Sequence, residues 1–164
     1  MLLARGDASE ALRVAQTALD MSDEMGLAQE YVKESVVTAL EAALELGDAA
    51  RAQQLLALID ELPAGNLPQY FRAQSLRFRA RLAALTGDPD AERLFKGATG
   101  LFRELTMPFY LAATELEYAE WLTTESREDA EPLLDEARTI FSELQAAPWL
   151  ERAERISAGT PATA

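Results

Sequence analysis

The sequence predicts an all-α protein, and three observations support this prediction. The chain has 164 residues, of which 49% are hydrophobic and only 7% aromatic. Strong helix formers (Ala, Leu, Glu and Arg) dominate it, whereas valine and isoleucine, which favour strands, are scarce. Apolar residues also recur in steps of three and four, the spacing of one stripe on a helix. We therefore expect helices throughout and negligible strand.

A Gly-Asp pair recurs along the chain at a nearly constant spacing. The pairs are Gly6-Asp7, Gly47-Asp48 and Gly87-Asp88. A glycine tolerates the left-handed conformation that ends a helix, and an aspartate accepts hydrogen bonds from the free N–H groups that open the next one. Each pair therefore predicts a tight turn between two helices, and Pro89 suits the first position of the helix that follows.

The helices on both sides of these turns also align with one another. We call the helix before each turn the leading helix and the helix after it the trailing helix. In the trailing helices, the aligned apolar residues include Ala52, Ala91 and Ala130, then Leu56, Phe95 and Leu134. In the leading helices, the aligned residues are Tyr31, Phe71 and Tyr110, then Ser35, Ser75 and Thr114, then Leu40, Ala80 and Ala119. We expect Phe95 and Leu134 to be buried at equivalent positions, and the small residues to lie where two helices cross.

The alignment predicts a single domain of antiparallel helix pairs over residues 1–157. Trailing helices are expected near 7–25, 48–62, 88–106 and 127–146, and leading helices near 28–46, 67–86 and 108–125. A partial helix is expected near 149–156. The residues 126–129 resemble a capping box, although Pro132 should make the following helix start late or kink. The tail, residues 158–164, is expected to be disordered.

The spacing of Ala91, Phe95 and Ala98 resembles the second helix of a tetratricopeptide (TPR) repeat. The sets Ala130, Leu134, Ala137 and Ala11, Ala15, Ala18 are similar. The resemblance implies a TPR-like α-α superhelix, a solenoid of helix pairs. The period near 40 exceeds the usual value of about 34, and the Trp–Leu–Gly–Tyr pattern of the first helix is missing. HEAT-type repeats, which share the longer period, are the alternative.

The region 101–154 is similar to the C-terminal helical repeats of large bacterial signalling proteins. It includes Leu-Glu-Tyr-Ala-Glu-Trp-Leu at 116–122 and Pro-Trp-Leu-Glu-Arg-Ala-Glu at 148–154. Such proteins join a nucleotide-cyclase or DNA-binding domain to a signalling ATPase and then to the repeats. The resemblance implies a regulatory fragment of a larger protein. The helix near 7–25 has no leading partner, so we expect either a missing segment or a homodimer to cover this exposed end.

Composition excludes several classes of function. The net charge of −13 disfavours nucleic acid and anionic membranes as partners. Without histidine or cysteine, the commonest general base and transition-metal ligands are missing, so we expect no catalytic residues, no metal and no cofactor. No apolar run approaches the ~20 residues of a membrane span, and charge follows Met1 too closely for a secretory signal, which makes the cytoplasm the default location.

One leading helix carries the only basic cluster of the sequence. Between Leu62 and Gly87 there is no acid, and the helix carries four arginines: Arg72, Arg77, Arg79 and Arg81. They could dock an anionic ligand or an acidic peptide, with Tyr118 in an adjoining groove. Alternatively, they pair with acids one repeat away, with Arg77 at the level of Glu117 and Arg81 at the levels of Glu41 and Glu120. We favour this structural interpretation, and any binding site should include Arg79 and Tyr118.

An acidic segment lies further along the chain. Between Thr114 and Glu136 there are nine acids and one base, Arg127. A metal site or paired-carboxylate catalysis is one interpretation, and a solvated helix face is the one we favour. We thus expect a non-enzymatic interaction or regulatory module whose partner is a protein or peptide. The alternative is a sensor that binds a small-molecule or peptide effector in a concave groove.

Overall fold

All the regular structure of the described residues is α-helical, as the sequence predicted. The computed structural model describes residues 8–10, 12–13, 30–60, 67–125 and 129–157, and no strand occurs among them. The complete helices in these ranges are α1 (Glu30–Glu45), α2 (Ala49–Asp60), α3 (Gln69–Thr86), α4 (Ala91–Glu104), α5 (Pro108–Thr124), α6 (Ala130–Glu143) and α7 (Ala147–Ser157). Each begins and ends within three residues of its predicted bounds. None of these described helices is both long and apolar enough to cross a membrane.

Some predicted features lie outside the described residues. They are most of the helix near 7–25, the tail 158–164 and the side chain of Tyr31. The capping box at 126–129 is described only at Asp129. The next helix begins at Ala130, three residues later than predicted, and Pro132 lies in its first turn, where its missing N–H leaves no helix bond unmade.

The chain divides into two compact units, residues 1–91 and 92–164, whereas the sequence analysis treated it as a single domain. In unit 1, the helices α1, α2 and α3 all pack against one another. Buried side chains of unit 1 include Leu40, Leu55, Leu56, Phe71 and Phe78. In unit 2, α5 packs against α6 and α7, and the rings of Phe102 in α4 and Tyr110 in α5 stack with centroids 5.6 Å apart. Buried side chains of unit 2 include Phe95, Phe102, Leu116, Leu134 and Phe141.

Gly47 and Gly87 end α1 and α3 in the left-handed conformation. Their φ angles are +68° and +72°. The next residue donates its N–H to the carbonyl five residues back, at 2.8 Å in both turns. A Cβ added at either glycine would meet no atom within 4 Å, so the conformation alone requires glycine.

The aspartates of the two turns accept the N–H groups that follow them. Asp48 Oδ1 accepts from the Arg51 N–H at 3.0 Å, and Asp88 Oδ1 accepts from the Asp90 N–H at 2.9 Å. The predicted turn between two helices is therefore confirmed at both sites, and the predicted capping is confirmed at Asp48, whose partner lies in the first turn of α2. At Asp88 the bond stabilises the turn ahead of α4. Pro89, however, lies in the turn ahead of α4 and is not its first helical residue.

The helices α4 and α6 end in the same way, but without glycine. Thr106 and Gln145, which occupy equivalent positions in the repeat alignment, have φ angles of 54° and 55°. In both, the next N–H again bonds the carbonyl five residues back, at 3.0 and 2.9 Å. A β-branched residue is rarely left-handed, so Thr106 is strained.

The first prediction concerns the aligned core residues Phe95 and Leu134, which are 1% and 2% exposed, as the sequence predicted. Truncating either to alanine should lower the free energy of unfolding by about 2–5 kcal/mol because a cavity replaces packed atoms. Leu144, which is 44% exposed, is the control, and its change to alanine should have a small effect. Urea denaturation measures all three, and equal effects would contradict this packing.

The second prediction concerns the strain at Thr106. Thr106→Gly should raise the free energy of unfolding by about 0.5–1 kcal/mol, because glycine adopts the left-handed conformation without steric cost. Thr139 is the control because it is exposed and lies within α6, where glycine is unfavourable. Thr139→Gly should therefore lower stability in the same denaturation experiment. A destabilised Thr106→Gly variant would show that the strain has been misjudged.

Candidate functional site

The basic cluster of α3 has two faces. Arg77 and Arg81, one turn apart, both reach Glu41 of α1, and Arg77 Nη1 lies 2.7 Å from Glu41 Oε1. Arg81 Nη1 bonds the other oxygen, Oε2. Arg72 and Arg79, two turns apart, share a second face of the helix. Of the predicted pairs at one repeat of offset, the pairing of Arg81 with Glu41 is confirmed. Arg77 also bonds Glu41, which was not predicted, and Glu120 bonds Arg152.

Arg77 and Arg81 are largely shielded from water. Arg77 is only 1% exposed, and its Nη1 also donates to Gln74 Oε1 at 3.4 Å. Both guanidinium groups lie over the buried ring of Phe78, at 5.1 and 5.9 Å from its centroid. Such cation–π contacts gain strength when water is excluded. These two arginines therefore hold α3 on α1 and offer little charge to a partner.

Glu41 responds electrostatically to this environment. Burial by itself would raise the pKa of Glu41, but the charges and hydrogen bonds of Arg77 and Arg81 outweigh it, so the pKa is held below its ordinary value. Two positive charges thus meet one carboxylate that stays ionised at neutral pH.

Arg79 and Arg72 lie at the surface. Arg79 Nη2 donates to both carboxylate oxygens of Asp60 at 2.6 and 2.7 Å, and its Nε donates to Ser75 Oγ at 3.2 Å. The Asp60 side chain is 63% exposed, so water screens this ion pair. Arg72 is exposed as well. Of the four arginines, this pair offers accessible positive charge to an anionic group.

Tyr118 of α5, in unit 2, is buried. The residue is 5% exposed, and its ring stacks on Phe95 and Trp121 with centroids 5.1 and 6.1 Å away. In this conformation the ring leaves almost no surface for a partner. The sequence analysis placed Tyr118 in a groove, and this prediction is wrong for the ring position seen here. Its equivalents at one repeat of offset, Ala39 and Arg79, are not aromatic, so the alignment gave no sign of a buried ring.

The solvated-face interpretation of the acidic segment is wrong for two of its acids. Glu115 and Glu117 of α5 are 1% and 5% exposed. Every residue from Leu111 to Ala119 is buried, because neighbours surround this part of α5. One signal was available: apolar residues occur on every side of this helix instead of forming one stripe, and a helix of that kind is normally buried. Glu120, by contrast, lies partly exposed, bonded through both carboxylate oxygens to Arg152.

Arg103 of α4 connects Glu115 to α6. Its Nη2 donates to Glu115 Oε1 at 2.9 Å and to both carboxylate oxygens of Glu136, at 2.8 and 2.9 Å. Burial, together with the charge of Glu136 and its hydrogen bond, raises the pKa of Glu115 to about 8, although Arg103 opposes the shift. Sequence reasoning did not single out Arg103. In the described ranges, no three acidic side chains converge to form a metal site.

The third prediction compares the buried and the exposed ion pairs of α3. Glu41→Gln should lower the free energy of unfolding by about 3 kcal/mol at neutral pH, because the buried Arg77 loses its carboxylate. The matched control, Asp60→Asn, removes an exposed carboxylate and should cost less than about 1 kcal/mol.

The pH dependence of the free energy of unfolding should also reflect the ion pairs of Glu41. Because the folded-state pKa of Glu41 is depressed, its contribution is present above the unfolded value of about 4.3 and is lost as the pH falls through the folded value. Urea melts between pH 3 and 7 measure this, and similar losses in both variants would argue against the buried pair.

No family model, no curated protein and no solved structure matches this chain.

Proposed function

We propose that this chain is a TPR-like helical-repeat module that binds a protein or peptide partner and has no catalytic chemistry of its own. The observation that carries the proposal is that four sets of residues aligned at one repeat of offset are buried throughout the set. In the leading helices, Ser35, Ser75 and Thr114 are all buried, and so are Leu40, Ala80 and Ala119. Small or apolar residues at these places let neighbouring helices approach closely.

The trailing helices support the same register. The aligned buried sets are Ala52, Ala91 and Ala130, and Leu56, Phe95 and Leu134. The helix ends repeat as well, since the left-handed residues Gly47 and Gly87 are one repeat apart, and so are Thr106 and Gln145. Recurrence of both core and turn is expected of a repeat protein, in which each unit packs on its neighbour and the exposed helix faces serve recognition.

The proposed recognition surface is the exposed face of α3 with Arg72 and Arg79. Arginine binds carboxylates strongly, and Arg79 Nη2 already donates to both carboxylate oxygens of the exposed Asp60. Because such an exposed pair contributes less than about 1 kcal/mol, a partner's carboxylate could replace Asp60 at small cost. The partner we propose is therefore an acidic segment of a protein. The resemblance to signalling proteins suggests that it belongs to the same pathway or the same longer chain.

The fourth prediction tests this surface. The partner would be identified by crosslinking and mass spectrometry and then purified, and its Kd would be measured by titration calorimetry. Arg79→Ala should weaken binding by about 10-fold to 100-fold, the effect of losing a charge-assisted hydrogen bond, while the free energy of unfolding stays nearly unchanged. Arg51→Ala is the matched control in unit 1, because Arg51 lies on α2, its side chain bonds the nearby Gln54, and its backbone bond to Asp48 survives the substitution.

Each outcome discriminates between functions. An unchanged Kd in Arg79→Ala and in Arg72→Ala would remove this face from the interface. If no protein partner is found, but a metabolite raises the Tm of the chain, the sensor function would replace the interaction function.

A further inference from the structure

Two carboxyl groups of unit 2 share a single cationic nitrogen. Arg103 Nη2 lies within 2.9 Å of one oxygen of Glu115 and of both oxygens of Glu136. This nitrogen carries only two hydrogens, and the guanidinium carries one positive charge. If both carboxyl groups were ionised, the cluster would retain one negative charge beside a buried helix.

The second carboxyl oxygen of Glu115 indicates what the cluster lacks. Glu115 Oε2 is buried and accepts no hydrogen bond from the described residues. A buried acceptor without a donor is unfavourable, and more so when it carries charge. A hydrogen on this carboxyl group would let it donate to the carboxylate of Glu136, would leave the unsatisfied oxygen without charge and so less costly to bury, and would remove the excess negative charge. One bound proton would therefore correct both the unsatisfied oxygen and the excess negative charge.

We propose that Glu115 and Glu136 hold one proton between them in the folded protein, bridged by Arg103, and that this proton-binding site joins α4, α5 and α6 and empties as the pH rises.

The proton resides mainly on Glu115. The Glu136 side chain is 44% exposed, so water stabilises its negative charge, whereas Glu115 is 1% exposed. Burial is the main reason that the pKa of Glu115 rises to about 8, and the charge of Glu136 and a hydrogen bond between the two carboxyl groups add to it.

Three other cations on the helices of unit 2 bond acids other than Glu115 and Glu136. On α7, which packs against α5 and α6, Arg152 bonds Glu120. On α6, Arg138 bonds the exposed Glu131 and Asp135. On α4, Lys96 bonds Glu92, one turn before it. Of the charged groups that these helices present, Arg103 and Glu136 are the two that act on Glu115.

The sign of the pH effect follows from the proton balance. Glu115 titrates near pH 4.3 in the unfolded chain and near 8 in the folded one, so the folded chain holds an extra proton between these values. The stability that this proton provides is fully present below about pH 4.3 and is lost as the pH rises through 8. A rise in pH should therefore loosen the packing of α4 and α6 on α5.

The direct test is an NMR titration of the chain labelled with ¹³C at the glutamate side-chain carboxyl carbons. The signal of Glu115 is assigned by its absence in Glu115→Gln. We expect its midpoint to lie at least about two pH units above that of an ordinary glutamate. In Glu136→Gln, which leaves one carboxyl group facing Arg103, the midpoint should move down. An ordinary midpoint in the wild-type chain would overturn the proposal.

Stability measurements supply a second readout. Glutamine mimics a protonated glutamate, so Glu115→Gln should fold and should lose most of the decline in urea midpoint between pH 6 and 9. The matched control is Glu120→Gln on the same helix, whose carboxylate is also held by an arginine, and it should keep the wild-type decline. If Glu115→Gln retains the full decline, or if Glu120→Gln abolishes it, the proton is not held at Glu115.

Discussion

The buried charge of Arg77 is the constraint on which the packing of unit 1 depends. A guanidinium taken out of water costs several kcal/mol unless a carboxylate meets it, and Glu41 of α1 is the carboxylate that does so here. Glu41 also binds Arg81, so only one register of α1 against α3 satisfies all three groups. The apolar core around Phe78 would tolerate small shifts of register, whereas this ion cluster would not. We infer that the cluster selects the register and that the apolar contacts supply most of the stability.

The sequence was informative wherever a feature depended on local chemistry or on the repeat period. The turns at Gly47 and Gly87 follow from the left-handed conformation and from aspartate capping, and the burial of Phe95 and Leu134 follows from periodicity. The pair of Arg81 with Glu41 follows from an offset of one repeat. The burial of Glu115 and Tyr118 does not follow from either, because helical periodicity identifies one core-facing stripe and does not reveal a helix with neighbours on several sides. The contact of Arg103 with Glu115, only 12 residues away, likewise depends on how α4 packs on α5.

Two arginines of α3 stabilise the fold, and the other two form the proposed recognition surface. Arg77 and Arg81 could reach a partner only if their ion pairs with Glu41 were broken, whereas Arg79 and Arg72 already face water. In a chain with a net charge of −13, an exposed basic face attracts an acidic partner locally while the remaining surface repels it. This arrangement favours one docking orientation, and it makes association sensitive to salt because exposed charges are screened.

Glu41 and Glu115 stabilise the fold in opposite pH ranges. Glu41 stabilises the fold only when ionised, so its contribution disappears as the pH falls below about 4.3, whereas Glu115 stabilises the fold only when protonated, so its contribution disappears as the pH rises towards 8. The two pH ranges do not overlap, and together these groups favour the folded state most at about pH 4–5. At neutral pH Glu41 contributes fully, and Glu115 is still mostly protonated but close to losing its proton. Unit 1 should therefore resist mild alkalisation, whereas the α4–α5–α6 cluster of unit 2 should respond to it. The difference between the units has a simple physical origin. The carboxyl group of Glu41 faces two guanidinium groups, whereas that of Glu115 shares one guanidinium group with Glu136.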